Sequence, residues 1–128
     1  MPARILIVDD EKQLAQSLRS ALLMEIPDCA VDLAHSGEEA LSRLAGAAYN
    51  LILADLRMPG VGGMELIRGL RYLDAQVPVV LMTGYGSPQL LEEARLLGVH
   101  SYLDKPFDAA QIAGLLRQAL PQGSVQDG

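Results

Sequence analysis

The chain has 128 residues, of which 50% are hydrophobic and 20% charged, with a formal net charge of −6. That length suits one compact domain, and that composition excludes a disordered chain. The acidic balance, with no run of Lys or Arg, argues against nucleic acid or an anionic membrane surface as partner.

From the N-terminus, Ile5-Leu6-Ile7-Val8 is a short apolar run followed at once by Asp9-Asp10-Glu11. It is far too short for a signal-peptide core or a membrane span, which points to a cytoplasmic protein. Leu14, Leu18 and Leu22 then recur every fourth residue, as on one face of a helix. Cys29 is the only cysteine, and in its apolar context it reads as a small core residue. A weaker apolar run spans Ala30–Ala34. Ser36-Gly37-Glu38-Glu39 has the spacing of a capping box and opens a second helix, with Ala40, Leu41 and Leu44 inward and Gly46 as its stop.

Leu51–Ala54 is a second strongly apolar run and ends at Asp55. After the irregular stretch Leu56–Gly63, a third helix from about Met64 to Leu73 carries Leu66, Ile67 and Leu70. Val79–Met82 is the next apolar run, followed by Thr83-Gly84. A fourth helix follows Ser87-Pro88 and ends at Gly98. Ser101–Leu103 reads as a last strand, before Asp104-Lys105-Pro106. A fifth helix follows Asp108 as N-cap, with Ile112, Leu115, Leu116 and Leu120 inward. Residues 121–128 lose the apolar period and read as a frayed end or the start of a linker, leaving one domain over residues 1–120. Runs of β-branched and apolar residues alternating five times with helical patterns predict an α/β fold, an open, parallel, doubly wound sheet.

In such sheets ligands bind beyond the carboxyl ends of the strands. Asp9, Asp10, Asp55, Thr83 and Lys105 all fall at those ends. Taken singly, all but Asp55, which ends an apolar strand before the irregular stretch Leu56–Gly63, have a plain structural explanation. Asp9 or Asp10 can cap the following helix, Thr83-Gly84 can make a turn, and Lys105 can be a solvated charge. Taken together they bring acids close enough to repel by roughly 4 kcal/mol per pair at 4 Å and an effective dielectric near 20. A hard divalent cation relieves that repulsion, and oxygen ligands with room for water suit Mg²⁺. A phosphoryl group sharing the metal then meets Lys105 and the Thr83 hydroxyl, with Asp55 best placed as nucleophile.

Four segments in order, Ile5 to Glu11, Asp55-Leu56-Arg57-Met58-Pro59-Gly60 with Gly63, Leu81-Met82-Thr83-Gly84, and Tyr102 to Phe107, resemble the receiver domain of two-component response regulators. The resemblance runs from about residue 3 to residue 120. It implies a flavodoxin-like sheet of receiver type, with five strands in the order 2-1-3-4-5 and five helices. It implies a phosphoacceptor at Asp55, charged by a sensor histidine kinase or phosphotransfer protein. Asp10 matches the direct Mg²⁺ ligand, Asp9 an acid acting mostly through water, and the Arg57 backbone carbonyl a third protein ligand. Lys105 matches the phosphate-pairing lysine, Thr83 the switch hydroxyl and Tyr102 the switch aromatic. The Lys105–Pro106 bond matches a peptide that the family keeps cis. The resemblance also implies a downstream effector domain or protein, read through the fourth helix, fifth strand and fifth helix. Phosphorylation-dependent homodimers through that surface occur in many members.

Gly62, Val99 and Ser101 depart from the family's usual residues, without touching the phosphoryl chemistry. Three other readings compete. An aspartyl-nucleophile phosphatase needs a general acid where Arg57 stands and a cap for which the chain has no spare length. A phosphorylation-independent binding module would be signalled by loss of Asp55, Asp10 or Lys105, and all three are present. A flavodoxin-like electron carrier shares the topology, but acids replace its phosphate loop, and fold alone is weak evidence of function.

Arg57 and Tyr85 lie two residues beyond Asp55 and Thr83, at positions resembling those that gate the water attacking the acyl phosphate. A Tyr85→Ala variant is therefore expected to lose its phosphoryl group several-fold faster than the parent. Decay of the phosphorylated mass reads this directly, and an unchanged rate refutes the shielding role.

Overall fold

The computed structural model describes residues 3–55, 63–72, 77–83, 88–99, 101–104 and 109–119. Five strands, β1 (Arg4–Val8), β2 (Ala30–Ala34), β3 (Leu51–Asp55), β4 (Val79–Thr83) and β5 (Ser101–Asp104), alternate with five helices. These are α1 (Lys12–Glu25), α2 (Gly37–Gly46), α3 (Gly63–Tyr72), α4 (Pro88–Leu96) and α5 (Ala109–Ala119). Every strand pairing is parallel, and the sheet order is β2-β1-β3-β4-β5, as the resemblance implies.

The apolar runs become central strands because both of their faces are covered. Ile5, Ile7, Leu51, Leu53, Val80 and Met82 pack with Ala15 and Leu22 of α1 and Ile112 of α5. The alternate residues Leu6, Val8, Ile52, Ala54, Val79 and Leu81 pack with Ala40, Leu66, Ile67, Leu70 and Ala94 on α2, α3 and α4. Burying one such Leu or Ile side chain contributes about 1.5–3 kcal/mol. The helices take these faces because parallel crossovers are right-handed. The chain runs outward from β1 to β2, then returns past β1 to β3, so α1 and α2 land on opposite faces.

Helix ends follow local chemistry. Ser36 Oγ accepts from the Glu39 N–H at 3.0 Å, the first half of the expected capping box. The second half differs, since Glu39 Oε1 accepts from the His35 N–H at 2.8 Å, one residue further back. Gly46 is the last residue of α2. Gly98 follows α4 with φ of +82°, a conformation open to glycine without strain. Beside it, Arg71 from the last turn of α3 donates to the carbonyls of Leu97 (2.8 Å) and Gly98 (3.1 Å). An Arg68–Glu93 ion pair joins the same two helices.

On α1 the expected Leu14, Leu18, Leu22 stripe holds only in part. Leu22 is buried and Leu18 half-buried, but Leu14 is 43% exposed and Ala15 fills the core instead. A four-residue repeat drifts by about 40° per step around a helix of 3.6 residues per turn, and the rotation of α1 against the sheet leaves Leu14 at the outer edge of the apolar stripe. Cys29 is buried in the core as expected, and burial pushes its thiol up. On α5, Ile112 is buried and Leu115 half-buried. The side chain of Leu116, together with Asp108, Leu120 and residues 121–128, lies outside the described residues.

One polar cluster braces the rim of the sheet on the α2 face. Arg4 donates to Asp32 Oδ2 through Nε (3.2 Å) and Nη2 (3.0 Å), and the Tyr49 hydroxyl donates to the same oxygen at 2.7 Å. The guanidinium also lies 5.2 Å from the Tyr49 ring centroid, a cation–π contact. Burial alone would raise the Asp32 pKa, but the bonds from Tyr49 and Arg4 outweigh it and hold the carboxyl below its usual value. Stability drawn from a lowered pKa is complete above the unfolded value and fades as pH falls through the folded one. Tyr49→Phe should therefore cost about 1 kcal/mol at neutral pH. In urea titrations the gap to the parent should hold down to about pH 5 and narrow below about pH 4.

Candidate metal centre

The site begins with strand register. Val8 of β1 pairs with Ala54 of β3, so the next residues, Asp9 and Asp55, lie level across neighbouring strands. Neighbouring strands are about 4.8 Å apart. These strands also flank the point where the chain reverses direction across the sheet, where a crevice opens in doubly wound folds. Alternation along β1 and β3 carries Asp9 and Asp55 to the α1 face, in step with Ile7 and Leu53.

Asp9 is 1% exposed and Asp55 5% exposed, and they are the only buried charged residues among those described. The Asp9 Oδ1 accepts from the Glu11 N–H at 3.0 Å, which turns the chain sharply into α1. Glu11 thereby becomes the N-cap of that helix, although its side chain makes no capping bond. Its carboxylate instead joins the two aspartates: one oxygen each from Asp9, Glu11 and Asp55 lies within 4.8 Å of the others. Neither Asp9 nor Asp10 is the N-cap, so the plain structural explanation open to them in sequence does not apply.

Two unit charges at that separation repel by about 3 kcal/mol at an effective dielectric near 20. Opposite oxygens of an Mg²⁺ octahedron are about 4 Å apart, so the cluster is near the right span. All three donors are carboxylate oxygens, the hard ligands that Mg²⁺ prefers, and the exposed Glu11 leaves a side open to water. The donor set fits the ion.

Asp10 is exposed and stands outside the three-oxygen cluster. It lines an open cleft with Glu11, Lys12, Gln13, Leu14 and Ser17 along the first turns of α1. On the far side, Asp55 pairs with Met82 of β4, so the backbone of Thr83 is one step beyond it, paired with Asp104 of β5. Tyr102 pairs with Leu81 through the backbone. The side chains of Thr83 and Tyr102, and Arg57, Gly62, Tyr85, Lys105 and Pro106, lie outside the described residues.

Sequence reasoning left Glu11 unassigned. Its signal was its position two residues after Asp9, where an aspartate-initiated turn returns the chain toward the strand end. His35 also went unremarked, yet its Nδ1 lies 3.1 Å from the Asp9 carbonyl oxygen.

Comparison with known proteins bears on the family and the fold. The sequence model of the response regulator receiver domain matches residues 5–117. The chain is 39% identical over 132 aligned positions to the response regulator protein FleR of Pseudomonas aeruginosa, covering 100% of this chain and 27% of FleR. It is 35% identical over 122 positions to the transcriptional regulatory protein YkoG of Bacillus subtilis, covering 95% of this chain and 53% of YkoG. The chain thus spans about a quarter of one curated relative and about half of the other. Among solved structures, the chemotaxis protein CheY4 of Vibrio cholerae superposes with a TM-score of 0.84 at 28% identity, covering 94% of this chain and 100% of that one.

Replacing one buried acid by its amide removes repulsion while keeping the Oδ1 acceptor for Glu11. Asp9→Asn should stabilise the metal-free protein by about 1–2 kcal/mol. Urea unfolding in EDTA reads this, and adding Mg²⁺ should raise the midpoint of the parent far more than that of the variant.

Proposed function

The chain belongs to the response regulator receiver family, and on that footing we propose that it is a signalling switch charged on Asp55. The observation that carries the reading is the convergence of Asp9, Glu11 and Asp55 at the strand ends, with both aspartates buried. Such an arrangement opposes its own stability, which is understandable where a bound cation and a phosphoryl group are its purpose.

Asp55 acts as nucleophile toward the phosphorus of a phosphohistidine on a sensor histidine kinase or phosphotransfer protein. A P–O bond forms to the Asp55 carboxylate, the P–N bond breaks, and the departing imidazole takes up a proton. Asp9, Asp10, Asp55 and the Arg57 carbonyl would hold Mg²⁺, and Glu11 joins them on the strength of its position. When bound, the ion neutralises charge on the phosphoryl oxygens. Lys105 pairs with the phosphoryl group and the Thr83 hydroxyl donates to it. That favours the conformer in which Tyr102 turns inward. Slow self-dephosphorylation at the same centre resets the switch.

Residues 1–120 form the receiver and residues 121–128 a tail or the start of a linker. A cytoplasmic location suits this reading, and among the described residues no helix is long and apolar enough to cross a membrane. The output goes to an effector domain or protein, with phosphorylation-dependent homodimers as one route.

Incubation with Mg²⁺ and acetyl phosphate, followed by intact-protein mass, tests the central assignment. One phosphoryl group should be added in the parent, none in Asp55→Asn, and none in the parent with EDTA. Equal addition in parent and variant refutes Asp55 as acceptor.

A further inference from the structure

The metal centre just described is tied to the neighbouring β2–α2 connection by a chain of hydrogen bonds centred on His35. A carbonyl oxygen only accepts, so the 3.1 Å contact between His35 Nδ1 and the Asp9 carbonyl is a hydrogen bond with Nδ1 as donor. The Asp9 N–H in turn donates to the Ala34 carbonyl at 3.0 Å. Both peptide planes flanking the Asp9 Cα are thus fixed from the same side, by two consecutive residues of β2 and its exit. The third contact, from Glu11 N–H to the Asp9 side chain, then leaves the carboxylate little freedom.

His35 is itself held. Its backbone N–H donates to Glu39 Oε1, and Glu39 N–H donates to Ser36 Oγ, so the His35 backbone is anchored to the first turn of α2. The ring is half-buried. From α2 to the acid cluster the connection is continuous: Ser36 and Glu39, His35, the Asp9 carbonyl, the Asp9 carboxylate.

We propose that His35 is a positioning residue for the metal centre, setting the orientation of Asp9 and the path of the chain into Asp10 through its hydrogen bond to the Asp9 carbonyl. The inference rests on the functional reading above and adds to it a residue outside the acid cluster. Removal of an outer partner that orients a metal ligand typically weakens metal binding about tenfold or more.

The test compares the parent with His35→Ala, His35→Leu and His35→Asn, using backbone-amide NMR titrations with MgCl₂ and thermal unfolding in EDTA. In Asn the side-chain Nδ2 stands where the imidazole Nδ1 stood and restores a donor, whereas Ala and Leu supply none. Affinity for Mg²⁺ should fall about tenfold in Ala and Leu and recover most of the way in Asn. His35→Leu keeps bulk at the site should the Ala protein fail to fold. Imidazole ¹⁵N shifts of the parent, recorded at alkaline pH, should show the proton on Nδ1 of His35. The proposal is overturned by unchanged Mg²⁺ affinity in the donor-less variants, by equal losses in Asn and Leu, or by a proton on Nε2. A parent that binds no Mg²⁺ overturns the functional reading and this inference together, which separates the two failures.

Discussion

Asp9 and Asp55, both almost wholly out of water, stand side by side where β1 and β3 leave the sheet. Removing two carboxylates from water costs several kcal/mol each unless something compensates, and here a third acid, Glu11, adds to the charge. Much of the surrounding structure can be understood as what is needed to keep these acids together. The central strands are apolar on both faces and pack without interruption, so they resist the outward push at their ends. The turn after β1 is fixed by the Asp9–Glu11 bond, and the exit of β2 is fixed by Ala34 and His35.

Fold and site are thus one arrangement seen at two scales. Parallel strands demand crossovers, and right-handed crossovers in opposite directions from β1 create the reversal between β1 and β3. At that reversal Asp9 and Asp55 stand at the strand ends, and the exposed Glu11 beside them opens the cluster toward water. Away from it, polar contacts brace the packing of neighbouring elements. Arg71 caps the carbonyls ending α4, and the Arg4–Asp32–Tyr49 cluster closes the opposite rim of the sheet. A charge at those places has a partner of opposite sign or a free carbonyl. At the reversal, three acids converge.

Several features were legible in the chain before any coordinates. Ile5 to Val8, Leu51 to Ala54 and Val79 to Met82 are apolar without alternation, the mark of strands buried on both faces. Ser36 with Glu39 marked the start of α2, and Gly98 the end of α4, because caps and left-handed turns depend on residues within a few positions of one another. Other features were not legible. The exposure of Leu14 depends on how α1 is rotated against the sheet. The contact between His35 and Asp9 joins residues 26 apart in sequence. The pairing of Tyr49 with Asp32 depends on the connection before β3 meeting strand β2 at one rim.

The sequence by itself determined the order of elements, the buried strands and the placing of acids at their carboxyl ends, because hydrophobic period, caps and turns are short-range properties. Its four motifs also carried the family, and with it the expected role of Asp55. Only the tertiary structure decided that Glu11 joins Asp9 and Asp55 while Asp10 stands outside that cluster, and that His35 holds the Asp9 carbonyl. Those facts follow from strand register and from the angle at which α1 and α2 leave the sheet. Both are fixed by packing between segments far apart in the chain, which no local pattern encodes.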